Sequence, residues 1–180
     1  MSALRILVAD DHEVVRHGVR ALLEAHPGWQ VCDEATDGRD AVEKAGKLLP
    51  DVVILDIGMP GLNGFEAARQ IRKASPKSEV LILTMHESEQ IVREVLASGA
   101  RGYVLKSDAG RDLVTAVEAL GRHNTFFTTS VAELVLQKYL EGKTAGVQAK
   151  EPSALTPRER EVVQLLAEGK SNKEVASTLD

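Results

Sequence analysis

The run "DVVILDIGMPGLNGFE" at residues 51–66 decides the fold. Val52, Val53, Ile54 and Leu55 form an unbroken apolar stretch, whereas a strand with one wet face alternates apolar and polar residues. Closed by Asp56 and then by Pro60-Gly61 and Asn63-Gly64, the stretch reads as a strand buried on both faces that ends in a turn. Val80-Leu81-Ile82-Leu83 repeats the pattern. Strands of this kind belong to parallel sheets covered by helices on both sides.

Further segments rich in Val, Ile and Leu at 4–9, 30–35 and 101–105 join those at 51–55 and 79–84. A stretch with helical spacing follows each of them. Val15, Val19 and Leu22 recur on one face, as do Ile91, Val95 and Leu96, and then Leu113, Val117 and Leu120. Turn residues separate the segments at His26-Pro27-Gly28, Asp37-Gly38, Ser75-Pro76 and Ser98-Gly99. Five strands alternating with five helices predict an α/β fold with a doubly wound parallel sheet, ending near Leu120.

Composition is consistent with this. Apolar residues make up 43% of the 180, enough for a normal core, and aromatics only 3%, so that core is aliphatic. The net charge of −5 argues against non-specific binding to nucleic acid or anionic membrane through the chain as a whole. Cys32 is the only cysteine, so no intramolecular disulfide forms; it reads as a buried thiol in a reducing compartment. No apolar run approaches the roughly 20 residues that span a bilayer, and the N-terminus lacks a signal-type apolar region. The expectation is a soluble cytoplasmic protein with no membrane partner.

The pattern changes after Leu120. Residues 128–141 predict a helix with Val131, Leu134 and Val135 on one face, and "GKTAGVQAKEPSA" at 142–154 reads as a flexible linker. Two helix-start signatures follow, Thr156-Pro157-Arg158-Glu159 and Ser171-Asn172-Lys173-Glu174, with Gly169 ending the first helix between them. Residues 155–180 are therefore expected to be helix, short turn, helix.

Chemistry gathers at the strand ends. In open parallel sheets, ligands bind outside the carboxyl ends of the strands, where strand order reverses. Asp10 and Asp11 end the first strand, Asp56 the third and Thr84 the fourth, and Lys106 follows the fifth. If the first and third strands are neighbours, three carboxylates converge with a hydroxyl and an ammonium opposite. Such an oxygen-rich crevice suits Mg²⁺. It leaves Asp56 as a nucleophile toward phosphorus, with Lys106 and Thr84 facing the phosphoryl oxygens. Singly these residues are ordinary, since an Asp after a strand is usually a cap or turn residue. Their joint placement carries the reading. His12 and His86 read as surface residues at helix starts, and no cysteine pair supports a zinc site.

The stretches "ILVADDHEVVR", "DVVILDIGMPGLNGFE", "VLILT" and "GARGYVLK" resemble the receiver domain of bacterial two-component response regulators. The resemblance spans residues 4–121 and implies a receiver domain over residues 1–121 with a flavodoxin-like sheet of order 2-1-3-4-5. It also implies that Asp56 accepts phosphate from a sensor histidine kinase. Asp11, Asp56 and the backbone carbonyl of Gly58 would hold Mg²⁺, with Asp10 acting through water. Thr84 and Tyr103 would be a switch pair, the hydroxyl moving to the phosphate while the ring turns inward, and Lys106 would pair with the phosphoryl group. Such a protein is a phosphoacceptor that assists its own phosphorylation and dephosphorylation rather than a separate enzyme, and it forms a homodimer when phosphorylated. Ser107 stands where many receivers have proline.

The tail "LTPREREVVQLLAEGKSNKEVASTLD" at 155–180 resembles the start of the LuxR-type helix-turn-helix, which makes the whole similar to NarL/FixJ-type regulators. In that family a recognition helix follows. This chain ends at Asp180, so residues 122–154 are expected to link the receiver to an incomplete helix-turn-helix with no DNA-contacting residue of its own. DNA binding and transcription regulation are then expected of a full-length form. Two other readings compete. A phosphohydrolase working through an aspartyl-phosphate commonly carries a second acid two residues after the nucleophile, where this chain has Gly58. A stand-alone phosphoreceiver or protein-interaction module without DNA binding is disfavoured only by the tail.

Overall fold

The computed structural model describes residues 3–128, together with Val131. The expected helix at about 128–141 (apart from Val131), the linker and the helix-turn-helix segment at 155–180 lie outside the described residues. In order, the elements are β1 (Leu4–Ala9), α1 (Glu13–Glu24), β2 (Trp29–Ala35), α2 (Gly38–Leu48), β3 (Val52–Asp56), α3 (Gly64–Ala74), β4 (Glu79–Thr84), α4 (Glu89–Ser98), β5 (Gly102–Leu105) and α5 (Ala109–Gly121). A single 3₁₀ turn, Lys106–Asp108, joins β5 to α5.

All strand pairs are parallel, in the order β2-β1-β3-β4-β5. This is the predicted order, and it makes β1 and β3 neighbours. Strand order reverses there, because β1 leads outward to β2 while β3 continues to β4 and β5, so a crevice opens at the carboxyl ends of β1 and β3. Side chains alternate across a strand. Ile6, Val8, Ile54, Leu81, Leu83 and Val104 therefore share one face, packed against Val19 and Leu23 of α1 and Leu113 and Val117 of α5. Leu7, Val53, Leu55 and Ile82 fall on the other face and are equally buried. The continuous apolar runs of β3 and β4 are thus explained by helices on both sides.

Helix starts are set by local chemistry. Asp37 caps α2 by accepting from the Arg39 and Asp40 N–H groups, and Asn63 caps α3 by accepting from Glu66 N–H. Gly64 opens α3 against the end of β3: a Cβ there would lie 2.2 Å from the Asp56 carbonyl oxygen. Any side chain at Gly64 pushes on the strand end that carries Asp56.

Three expectations about side-chain placement change. The inner face of α1 runs through Val19 and Leu23, both buried, while Leu22 is 36% exposed. In α4 the buried pair is Val92 and Val95, and Leu96 is 40% exposed. In each case helical spacing allowed two adjacent apolar residues, and only docking on the sheet selects one. Cys32 is half-buried rather than buried. It is the extra residue where the β1–β2 register shifts from Ile6↔Val31 to Leu7↔Asp33. Burial still raises its thiol pKa above the ordinary value.

After α5 the chain turns at His123, whose φ of 59° is left-handed, and runs beside β5. Tyr103 N–H donates to the Phe126 carbonyl and Phe126 N–H to the Arg101 carbonyl, at 3.0 Å each. The edge of β5 is covered by this segment, and the compact unit extends to Thr128.

Leu23→Ala is expected to lose roughly 2–5 kcal/mol of stability, as full burial of a leucine dictates. Leu22→Ala should lose less than about 1 kcal/mol, because its side chain is partly wet. Urea denaturation of the two variants measures this; equal losses would mean that α1 presents a different face to the sheet.

Candidate functional site

Asp10, Asp56 and Lys106 meet at the crevice. β1 and β3 run side by side in register, Ala9 opposite Leu55, so the residues that follow emerge together. Lys106 leaves β5 in the 3₁₀ turn and reaches back across β4. Its Nζ lies 2.6 Å from Asp10 Oδ2 and 3.1 Å from Asp56 Oδ1. All three side chains are nearly enclosed, at 8% exposure or less. Asp10 Oδ2 makes no well-aligned hydrogen bond, and the ammonium meets it as an ion pair.

The electrostatics follow from enclosure. Burial pushes the Asp56 carboxyl above its ordinary pKa; Lys106 opposes the rise, while Asp10 and Asp11 add to it. For Lys106, burial alone would lower the pKa, but the Asp10 and Asp56 carboxylates outweigh it and hold the ammonium above its ordinary value. One cation therefore serves an excess of negative charge. Asp11, 30% exposed, stands at the rim. Arg16 does not relieve the carboxylates directly: its Nη1 donates to the Asp10 main-chain carbonyl at 2.8 Å, and its Nε pairs with Glu34 at 3.1 Å.

Thr84 and Tyr103 lie on the other face of the sheet end. Tyr103 pairs with Ile82 across β4 and β5, so Thr84, two residues further along β4, projects from the same face. Both are buried. The Tyr103 ring is already turned inward in this structure, its hydroxyl donating to the His86 carbonyl at 3.0 Å. Burial, with Glu87 adding, pushes the Tyr103 pKa up to about 12, so the hydroxyl stays a donor at neutral pH. Thr84 Oγ1 accepts from His86 N–H at 3.2 Å. The main chain of His86 thus bridges the two hydroxyls, a role with no signal in the sequence because no side chain performs it. Gly58 lies beside Asp56, since a Cβ there would sit 3.4 Å from Asp56 Oδ2.

His12, read from the sequence as a surface residue at a helix start, also stands beside the Asp10 and Asp11 carboxylates. It is the N-cap of α1 and its side chain is 67% exposed, as such a residue should be, yet its Nδ1 lies 2.9 Å from Asp11 Oδ1 and 3.2 Å from Asp10 Oδ1. One ligand atom from each of Asp10, Asp11, His12 and Asp56 falls within 4.8 Å of the others, a cluster able to hold a metal ion. Beside it an open cleft of about 540 Å³ runs between α1 and the β5–α5 turn, lined by Val15, Gly18, Leu22, Met85 and Ser107.

Both pKa values are raised, yet they predict opposite mutational effects, because a raised pKa disfavours the charged form of an acid and favours that of a base. An acid with a raised folded-state pKa is harder to ionise in the folded chain, so its charge opposes folding above that pKa. In the absence of divalent metal, Asp56→Asn is expected to raise the denaturation midpoint at pH 7. The gain should fade as pH falls through the raised pKa to the ordinary carboxylate range. Lys106→Ala leaves two enclosed carboxylates without their cation and should cost about 3–5 kcal/mol at pH 7. Denaturant titrations from pH 3 to pH 8 read both; destabilisation by Asp56→Asn at neutral pH would contradict the electrostatic account.

Comparison with known proteins agrees with the geometry. The family model for the response regulator receiver domain matches residues 6–118, and that for bacterial regulatory proteins of the luxR family matches residues 153–180. The chain is 36% identical over 176 residues to transcriptional regulatory protein LiaR of Bacillus subtilis (strain 168), covering 98% of this chain and 82% of that protein. It is 35% identical over 176 residues to the nitrate/nitrite response regulator protein NarP of Escherichia coli (strain K12), with 98% and 80% covered. A LuxR-family two-component response regulator from Aurantimonas sp. SI85-9A1 superposes with a TM-score of 0.71 at 35% identity, covering 77% of this chain and 99% of that one. The RcsB response regulator of Salmonella typhimurium gives 0.69 at 31% identity, covering 99% and 84%. The chain belongs to the two-component response regulators, with a receiver domain followed by a segment of the luxR family of bacterial regulatory proteins.

Proposed function

We propose that Asp56 is the phosphoryl acceptor of this regulator, supplied by the phosphohistidine of a sensor kinase. The observation that carries the reading is the Lys106 ammonium held 3.1 Å from Asp56 Oδ1 in a crevice with surplus carboxylates. An Asp56 carboxylate oxygen attacks phosphorus; the P–O bond forms as the P–N bond to the kinase imidazole breaks, and the imidazole leaves and takes up a proton. Lys106, already beside Asp56, faces the developing charge on the phosphoryl oxygens. The open cleft between α1 and the β5–α5 turn gives the kinase an apolar surface next to the acceptor.

The donor set fits Mg²⁺, a hard cation that takes one or two carboxylates and keeps its waters. Asp11, Asp56 and the Gly58 carbonyl would hold it, with Asp10 reaching through water, and it would supply charge neutralisation at the transferring phosphoryl group. The same groups serve hydrolysis of the acyl phosphate, so the protein assists its own dephosphorylation without a separate enzymatic role.

Phosphorylation adds roughly −1.5 to −2 charge at the end of β3. The new oxygens accept from the Thr84 O–H, and the rotation that aims this donor at them weakens the bond that Thr84 Oγ1 accepts from His86 N–H. When Thr84 turns toward them, the main chain of His86 loses a contact and the Tyr103 hydroxyl must follow its carbonyl. The α4–β5–α5 surface changes with it, and that surface or the α1–α5 face then pairs with a second copy. Transcription control is the output, in keeping with the luxR-family segment and with relatives named transcriptional regulatory proteins. A phosphohistidine donor on a sensor kinase is presented in the cytoplasm, and that is where this reading places the protein.

Acetyl phosphate with Mg²⁺ should place one phosphoryl group on the wild-type chain and none on Asp56→Asn, read by intact-protein mass spectrometry. Lys106→Ala is expected to slow labelling or to leave the Tyr103 environment unchanged after it. An undiminished yield in Asp56→Asn would remove Asp56 from the acceptor role.

A further inference from the structure

His12 takes no part in the phosphoryl chemistry above, yet its ring is turned into the acidic cluster. As the N-cap of α1 it had another use for its side chain, yet it makes no capping hydrogen bond. Its main-chain N–H donates to Asp10 Oδ1 at 2.8 Å, which anchors the residue, while Nδ1 lies 2.9 Å from Asp11 Oδ1 and 3.2 Å from Asp10 Oδ1.

Those separations have a second meaning. Six-coordinate cations with ligand distances of roughly 2.1 Å hold neighbouring donors about 3 Å apart. Nδ1 and the two carboxylate oxygens are therefore spaced as adjacent donors of such an ion. A hydrogen bond has the same spacing, so charge and donor type decide what the cluster favours. Three carboxylates against one ammonium leave a surplus of two negative charges, the complement of a divalent ion. The enclosed Asp10, 2% exposed, has only an ion pair on Oδ2. Oxygen donors suit Mg²⁺, but imidazole nitrogen favours first-row transition ions.

We infer that His12 Nδ1 is a metal ligand, and that the crevice takes a divalent transition-metal ion through it more tightly than Mg²⁺. This rests on the reading of the crevice as a cation site and adds a determinant of which cation occupies it. The ring is mostly exposed, so it turns toward an ion by side-chain rotation alone. Asp11 and Asp56 are the ligands shared by either metal, and His12 is the one that distinguishes them.

Co²⁺ is a suitable probe, titrated into the full chain by calorimetry and followed by proton NMR. The wild type is expected to bind Co²⁺ more tightly than Mg²⁺, with Mg²⁺ displacing it from the same site. A strongly shifted, exchangeable imidazole proton should appear with Co²⁺ and vanish in His12→Ala. That variant should bind Co²⁺ about tenfold more weakly, the loss typical when support for a metal site is removed. Its Mg²⁺ affinity should be unchanged, which also shows that the crevice is intact. Co²⁺ and Mg²⁺ binding that are both unaffected by His12→Ala, or a shifted imidazole proton that persists in it, would overturn the role of His12 and leave the cation site standing. Failure of the wild type to bind either ion would overturn both.

Discussion

The Lys106 ammonium between Asp10 and Asp56 is the contact on which the functional end of this molecule depends. Two nearly enclosed carboxylates at the ends of adjacent strands are unfavourable unless a cation stands between them. Among the described residues, the turn that leaves β5, at the far edge of the sheet from β2, supplies it. The crevice therefore exists in its closed form only when the β2-β1-β3-β4-β5 order is complete, because the cation must reach across β4. The arrangement is under-compensated by design of its charges: a single ammonium leaves Asp56 with a raised pKa and leaves room for a second positive centre.

The far side of the same sheet end is organised by main chain rather than by charge. Thr84 and Tyr103 both hydrogen-bond the peptide groups of His86, one as acceptor and one as donor. The Tyr103 N–H in turn holds the Phe126 carbonyl in the segment that leaves α5. A buried tyrosine thus touches the β4–α4 connection through its hydroxyl and the outgoing chain through its backbone.

The α1 and α4 helices show why adjacent apolar pairs are ambiguous. Leu22 and Leu23 both fit helical spacing with Val15 and Val19, and so do Val95 and Leu96 with Ile91. A helix has no preferred roll about its axis until it meets a sheet. Packing on Ile6, Val8 and Leu83 places Leu23 inside and leaves Leu22 at the edge of the open cleft. Likewise the register shift at Cys32 depends on how β2 meets β1, and the thiol between Val31 and Asp33 ends half-buried.

By itself the sequence determined the α/β class, the five strands and their polarity, because a run such as Val52–Leu55 with no polar partner positions can be satisfied only inside a parallel sheet. It also determined which residues stand at the carboxyl ends of the strands, so Asp10, Asp11, Asp56, Thr84 and Lys106 were legible as one candidate set. The tertiary structure alone decided how they divide. Lys106 joins Asp10 and Asp56, whereas Thr84 turns to His86 on the opposite face, because alternation along β4 separates Thr84 from Leu83 by half a turn of the strand. It alone brought the His12 ring to the carboxylates and enlisted the His86 main chain. Distances of 3 Å between ring, carboxylate and peptide depend on how α1 and the β4–α4 connection settle on the sheet, and no periodicity in a chain encodes that.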